Sequence, residues 1–384
     1  MPHISERELQ LPEHEISKLL RIAVERKDVL SLGPGEPDFP APAPIVQLTK
    51  KYADKCNHYS PPGGRQELRE AIARKLKRDN RVDVDPENVV VTCGSQEALA
   101  LAAACTLDVS EQVIIPDPGY MGFLPAFELI SAHARFLPLK EEDGFAFDPA
   151  EVEKAIDPKK TKVLMMNTPA NPTGTVLSKK LLEQLADIAI EHDLYIFSDE
   201  AYEKIIYDGA KHVSIGSLNG MEDYAVTFQS FSKTYAMCGY RVGYVAAPPA
   251  LATAMKTTHN DVTICAPTIS QMVATQALKL PAKYTDAMVQ EYDRRRKLIV
   301  KRLNEMGLRT LMPKGAFYTF SNIKDLGVGS RKFAHDLLNK AKVAVVPGTD
   351  FGKNGDGYIR CSYATKYAKI QQAMDKMEAF LRKY

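Results

Sequence analysis

The sequence predicts an α/β fold built on a mainly parallel sheet, and three features carry that prediction. The first is a series of short, almost wholly apolar runs between about residues 65 and 280: NVVVT (88–92), QVIIP (112–116), KVLMMN (162–167), LYIFS (194–198), AVTF (225–228) and RVGYVAA (241–247). Strands covered on both faces read as continuous apolar runs rather than alternating ones. The second is that helix-like stretches separate the runs, the order expected of strand–helix–strand units. The third is that polar or glycine-bearing turns follow five of the runs at their carboxyl ends, where open α/β sheets bind ligands.

Taken in order, those ends carry CGSQEA, DPGY, TPANPTG, DEAY and QSFSK. Beyond about residue 285 the pattern changes. The stretch YTDAMVQEYDRRRKLIVKRLNEMG reads as one long helix, with Met288, Tyr292, Ile299, Leu303 and Met306 at helical spacing and Gly307 as its stop. GAFYTF, KVAVVPG and GYIRCSYA read as strands, and a closing helix sets Ile370, Met374, Met377 and Leu381 on one face. The expected divisions are an amino-terminal arm with part of a small domain (1–45), a large α/β domain (46–285) and a small α+β carboxy-terminal domain (286–384). The first forty residues are expected to pack on the small domain. The basic DRRRK stretch of the long helix reads as a solvated face.

Fifty Lys and Arg against forty-eight Asp and Glu leave a formal charge of +2, which argues against a nucleic-acid partner. The longest wholly apolar run, 98–105, is too short to cross a bilayer, and the amino terminus has no apolar signal core, so a cytoplasmic protein without membrane contact is expected. Six cysteines without a C-x-x-C pair read as free, mostly buried thiols of a reducing compartment. The eight histidines show no ligand spacing, and no metal site is expected.

The stretch SFSKTYAMCGYRVGY (230–244) sets Lys233 beside Ser230 and Ser232, with Arg241 eight residues on. A lysine ordinarily ends in solvent with its stem along the surface. Held back in a pocket, it offers a reactive amine. The planar fork of Arg241 suits a phosphate. So does GSQEA, which opens a helix whose free N–H groups carry partial positive charge; Ser95 as a simple N-cap is the alternative. Neither G-x-x-x-x-G-K-[ST] nor G-x-G-x-x-G follows a strand, which disfavours a nucleotide or a nicotinamide dehydrogenase. A small phosphorylated cofactor that condenses with an amine fits better, and pyridoxal 5'-phosphate, which forms a Schiff base with lysine, is the candidate. Its ring nitrogen requires a facing carboxylate. Asp199 is placed for that, although a cap is its alternative. Asn171 and Tyr202 are available to the phenolate oxygen, and Tyr120 to the ring face.

With these residues in view, the chain resembles the class I/II aminotransferases of the aspartate aminotransferase superfamily, pyridoxal-phosphate fold type I, over essentially its whole length. The matching stretches, in order, are SLGPGEPDF, HYSPPGGRQELREAIA, GSQEAL, NPTG, SDEAYE, SFSKTYAMCGYRVGY, PKGAFY and GYIRCSYA. It is most similar to the prokaryotic, notably archaeal, aspartate and aromatic aminotransferases. The resemblance implies a mainly parallel seven-stranded sheet between helices, with a smaller α+β domain. It implies that Lys233 holds the cofactor aldehyde and moves the substrate proton. Ser95 and Gln96, through backbone N–H groups, would bind the phosphate with Ser230, Ser232 and Arg241. Asp199 would face the ring nitrogen, Asn171 and Tyr202 the phenolate oxygen, and Tyr120 would stack on the ring. Arg360 would clamp the substrate carboxylate with Gly35 and the Asn171 amide. Tyr59 would reach the phosphate of the neighbouring subunit, which implies a homodimer with shared sites. Many members stack a tryptophan on the ring; this chain has none, and Tyr120 stands in that part.

The implied reaction is ping-pong transfer of an amino group from an L-amino acid, aspartate or aromatic, to a 2-oxo acid such as 2-oxoglutarate. Carbon–sulfur β-lyases and aminocyclopropane-carboxylate synthases share nearly all these residues and stand as the alternative. A regulator of this fold is disfavoured, because no helix-turn-helix or basic region accompanies it. No cation that would read a distal carboxylate is identifiable.

Overall fold

The structure is a computed structural model that describes residues 3–11 and 15–384. A two-residue strand, β1 (Leu30–Ser31), comes first and lies outside the main sheet. The six apolar runs then form β2 (Val89–Thr92), β3 (Gln112–Asp117), β5 (Thr161–Asn167), β6 (Tyr195–Asp199), β7 (Ala225–Ser230) and β8 (Gly243–Ala246), with β4 (His133–Pro138) between β3 and β5. The sheet has seven strands in the order β2-β8-β7-β6-β5-β3-β4. Its pairings are parallel except around β8, which runs against both β2 and β7.

The seventh strand was not among the runs located in sequence. HARFLP pairs with β3 alone, and of its six residues only Leu137 is buried. An edge strand open to water needs no continuous apolar run, and its His133 and Arg135 are the kind of residues that discourage further pairing.

Alternation along each strand feeds two cores. Val163 and Met165 of β5 join Ala98 and Ala102 of the helix Ser95–Thr106 on one face. Leu164 and Met166 join Leu182 and Leu185 of the helix Lys179–Glu191 on the other. Each of these fully buried Leu or Met side chains contributes roughly 1.5–3 kcal/mol.

The carboxy-terminal part forms around the helix Lys283–Glu305, whose Met288, Tyr292, Ile299 and Leu303 are buried as their spacing required. Gly307 ends it at φ +81°, a conformation relaxed only for glycine. Four short strands follow: β9 (Tyr318–Asn322), β10 (Val343–Ala344), β11 (Val346–Pro347) and β12 (Tyr358–Ser362). The order β11-β12-β9 makes an antiparallel sheet, and β10 pairs in parallel with β1. Described residues of the arm contact this part: Leu32 enters its core, and Ile16 N–H donates to Asp350 at 2.7 Å. Tyr202, Ile205 and Tyr207, which follow β6, enter the same core. One continuous core therefore runs behind the carboxyl end of the main sheet.

Two expectations are corrected. The DRRRK stretch is a solvated face only in part: Arg294 and Lys297 are exposed, but Arg295 and Arg296 are buried. Arg296 donates to Asp208 and Asp293 and lies 4.4 Å over the Tyr207 ring, while Arg295 meets Asp38 and Glu291. Carboxylates on neighbouring segments make that burial possible, and a helical period cannot reveal them. The cysteines are unpaired, but only Cys361 is buried; of the partly exposed ones, Cys56 lies in irregular chain and Cys238 opens the short 3-10 helix Cys238–Tyr240. Among the described residues no helix is long and apolar enough to cross a membrane.

Candidate active site

A cleft of about 280 Å³ opens at the carboxyl edge of the main sheet, and every site residue expected from sequence lines it except Tyr59. Tyr59 stands outside, 80% exposed.

At one end lies an anion cup. Gly94 is the N-cap of the helix Ser95–Thr106, at φ +89°, and no side chain caps that helix, so the reading of Ser95 as a simple cap fails. The first N–H groups of a helix have no partner within it and turn their partial charge outward. Arg241 lies opposite. It does not begin the strand as expected but sits two residues before β8 in a left-handed turn, at φ +49°. Its two terminal nitrogens donate to the carbonyls of Cys93 and Cys238, each at 3.1 Å, which holds the fork across the cup. Ser230 Oγ accepts from the Ser232 N–H at 3.1 Å, placing both serines at the same end. A Cβ on Gly94 would come within 2.6 Å of Arg241 Nη2 and would occupy an unfavourable φ. Gly94→Ala is therefore expected to weaken cofactor binding about tenfold or more, through the displaced guanidinium; a cofactor titration of the variant reads this directly.

Lys233 leaves the short turn Phe231–Thr234 that follows β7. Its Nζ donates to the Gly35 carbonyl at 2.5 Å and lies 5.9 Å from the centre of the Tyr202 ring. Burial lowers its pKa, which favours the neutral, nucleophilic amine. Gly35, expected at the substrate carboxylate, thus meets the lysine here. Its α-carbon also abuts Tyr318, since a Cβ would fall 2.7 Å from the Tyr318 hydroxyl.

Asp199 ends β6, and burial raises its carboxyl to about 6. Its Oδ1 accepts from Ala201 N–H at 3.1 Å, so the turn-capping alternative is realised as well, and the carboxylate still faces the cleft. Asn167 fixes the neighbourhood: its amide donates to the Asp199 carbonyl at 2.8 Å and its oxygen accepts from Asn171 N–H at 2.7 Å. The hydroxyls of Tyr202 and Tyr318 are 2.8 Å apart.

Arg360 projects from β12 and is 2% exposed. Its Nη1 donates to Asn171 Oδ1 at 3.1 Å and its Nη2 to the Gly33 carbonyl at 2.6 Å, while Nε has no partner among the described residues. The rings of Tyr318 and Phe351 lie 4.5 and 4.9 Å from the guanidinium. A buried cation held only by neutral acceptors is costly unless an anion joins it. Tyr318, Gly33 and Asn167 were not singled out in sequence. PKGAFY and SLGPGEPDF were matched as stretches, but nothing in them marked which residue would face the cleft.

Behind Asp199 lies a polar network that the residue spacing did not disclose. Glu200, Glu203 and His212 bring ligand-type atoms within 4.8 Å of one another. Their oxygens are already taken: Glu200 accepts from Ser198, Ser214, Gln229 and His212, and Glu203 from Lys75, Asn80 and Gln229. Burial would lower the His212 pKa, but the charge and hydrogen bond of Glu200 outweigh it and leave the pKa raised. A raised folded value means that this stabilisation is complete below about pH 6.5 and is lost as pH rises through the higher folded pKa. His212→Gln is expected to be less stable than the parent near pH 6 and to lose part of the alkaline decline in unfolding free energy. Urea unfolding at a series of pH values tests it.

The cleft offers a half-buried amine, a carboxylate in the same wall, an anion cup and a second anion site. These parts, on a sheet of this order, define an enzyme that binds a phosphorylated carbonyl cofactor and a carboxylate-bearing substrate. Residues 27–377 match the family of aminotransferases class I and II, and the chain belongs to that family. It is 48% identical over 372 residues to an aspartate aminotransferase of Pyrococcus abyssi, covering 96% of this chain and 95% of that one. It is 44% identical to aromatic-amino-acid aminotransferase 2 of Thermococcus litoralis, covering 99% and 98%. The crystal structure of an aromatic aminotransferase from Pyrococcus horikoshii superposes with a TM-score of 0.91 at 46% identity, covering 96% of this chain and 99% of that one. The activity is amino-group transfer, and the cofactor is pyridoxal 5'-phosphate. The residues present fit that cofactor: Arg241 and the helix start form an anion cup, the half-buried Asp199 lies in the cleft wall, and Arg360 Nε has no partner among the described residues.

Proposed function

We propose that the chain moves the amino group of an L-amino acid to a 2-oxo acid such as 2-oxoglutarate by a ping-pong route, with an aromatic donor preferred over aspartate. Arg360 carries the reading: a buried fork without an acidic partner, in one cleft with the half-buried Lys233, selects a substrate that brings a carboxylate beside a reacting carbon. The cleft cations among the described residues are Lys233, Arg241 and Arg360, each with its own part, while Ile16 and Met121 give an apolar wall. That wall suits a ring better than a second carboxylate.

When bound, pyridoxal phosphate supplies a cationic ring that takes up negative charge developing at the substrate α-carbon. The Ser95 and Gln96 N–H groups, Ser230, Ser232 and Arg241 hold its phosphate. Asp199 would face the ring nitrogen; burial raises its carboxyl to about 6, and a cation beside it would favour the ionised form. Asn171 and Tyr202 would hold the phenolate oxygen, and Tyr120 would cover the ring. Arg360 and Asn171 orient the substrate carboxylate, and Lys233 Nζ, freed from the Gly35 carbonyl, carries the α-proton.

A homodimer belongs to the same reading. Tyr59, Val262 and Ile264 are 80%, 70% and 43% exposed, and the β-branched Ile264 is held at φ +73°. Exposed apolar residues and a strained loop suit a covered surface, with Tyr59 reaching the neighbouring subunit's phosphate. Divisions near residues 45 and 285 put the cleft between two domains, and the six unpaired cysteines support a cytoplasmic location.

The test is a half-reaction screen that follows the visible spectrum of the bound cofactor as single amino acids are added. Aromatic amino acids should convert it without any oxo acid present, and aspartate more weakly. Pyruvate and ammonia released from cystathionine in the absence of an oxo acid would instead favour a β-lyase.

A further inference from the structure

Beside the anion cup, a buried histidine and a glutamate form a pair to which the roles above assign nothing. His259 is fully buried in the last turn of the helix Pro249–Val262, where the helix dipole favours a cation. Its Nδ1 is 2.7 Å from the Pro62 carbonyl, and its Nε2 is 3.2 Å from Glu97 Oε2, an ion-pair contact not aligned as a hydrogen bond. Both ring nitrogens face oxygen acceptors. A neutral imidazole has one N–H to offer, so a ring that serves both carries two protons.

Glu97 lies in the first turn of the helix whose start forms the cup. Its carboxylate accepts from the Cys93 N–H at 2.5 Å and the Thr263 hydroxyl at 2.7 Å, while the Cys93 carbonyl accepts from Arg241. One residue, Cys93, therefore links Glu97, through its N–H, to the phosphate-facing guanidinium, through its carbonyl. Burial pushes the Glu97 carboxyl up, but His259, Cys93 N–H and Thr263 outweigh it and hold the group at about 2. It is ionised throughout the working range. A negative charge two residues from a bound phosphate repels it unless a cation offsets that charge. Other charged or titratable groups near the pair leave that part to His259: the Cys93 thiol is pushed up to about 12 and is neutral, Arg241 is committed to the cup, and Lys256, one turn earlier on the same helix, pairs with Glu87 at 3.0 Å.

We infer that Glu97 and His259 are positioning residues of the phosphate cup: the carboxylate anchors Cys93, whose carbonyl holds Arg241, and the imidazolium cancels its charge so that a phosphate dianion is tolerated. The inference rests on the cofactor reading above. Pro62 belongs to the segment that carries Tyr59, so the same imidazolium also ties the cup to the stretch proposed to reach the neighbouring subunit.

The full chain, freed of cofactor, is titrated with pyridoxamine 5'-phosphate and with pyridoxamine between about pH 6.5 and 9, with probe fluorescence as the readout. The expected result is that His259→Gln weakens the phosphorylated probe roughly tenfold near pH 7, as one uncompensated charge does at partly screened distance, and leaves pyridoxamine unaffected. The unaltered chain should lose the same factor as pH rises through the His259 value, which lies above the ordinary 6.5 because burial, which lowers it, is outweighed by Glu97 and the Pro62 carbonyl, which favour the imidazolium. Glu97→Gln should abolish that step, and the double variant should recover the affinity lost in His259→Gln, which a purely structural role would not produce. Equal losses for both probes, or a double variant no better than His259→Gln, would overturn the inference. If His259→Gln does not fold, the isosteric Glu97→Gln decides it: an unchanged pH step sinks the charge-balance argument. Failure of the unaltered chain to bind either probe would refute the cofactor reading itself, and this inference with it.

Discussion

Lys233→Ala is expected to lose transamination by at least about 10²–10⁴-fold, the contribution typical of a positioned acid–base group. Its unfolding curve should stay close to that of the parent. The two expectations separate because the Lys233 amine makes one backbone hydrogen bond, to Gly35, and burial already opposes its charge. Removing it relieves a desolvated amine and leaves one carbonyl that water can reach from the cleft. Borohydride treatment gives an independent reading, since the parent should gain the mass of the reduced cofactor at position 233 and the variant should not. Near-normal turnover in Lys233→Ala would remove this lysine from the mechanism.

Arg360→Met should raise KM for the amino acid by on the order of 10²–10³, because removing one partner of a desolvated charge pair costs roughly 2–5 kcal/mol. The same substitution should leave the free protein as stable as before, or more so. The parent buries a guanidinium against Asn171 Oδ1, the Gly33 carbonyl and two rings, with Nε unpaired, and carries that desolvation without an anion. Methionine fills much of the space and removes the charge, and of the two acceptors left behind Asn171 Oδ1 lines the cleft. Sites that must hold a charged substrate are commonly destabilising when empty. Arg360→Lys keeps the charge but not the fork, and should fall between parent and Met variant. A marked loss of stability in Arg360→Met, with KM unchanged, would make Arg360 a structural residue.

Most of the main sheet was legible because burial on both faces writes itself into a strand as a continuous apolar run. Strand β4 was not, since an edge strand with five of its six residues at least partly exposed carries no such mark. The long helix was legible on its apolar stripe and misread on its basic one: Arg295 and Arg296 are covered by Asp38 and Asp208, which lie 257 and 88 positions away in the chain. The candidate site was legible as a set of residue types following strands, and illegible as a set of contacts. The sequence marked Gly35 for the substrate carboxylate, whereas packing brings its carbonyl to Lys233 and leaves that of Gly33 to Arg360.

By itself, then, the sequence determined the α/β class and the long helix, because hydrophobic period and turn chemistry are local properties of the chain, and its motifs in their order marked, by resemblance, the family and the cleft residues. Tertiary structure alone decided which groups meet. Lys233 and Gly35 are 198 positions apart, and Arg360 and Gly33 are 327 apart. Contacts at such separations are set by how the helices and sheets close on one another, and so are the burial of Arg360, the raised carboxyl of Asp199 and the doubly engaged ring of His259. Each of these depends on the removal of water, which no local pattern of residues records.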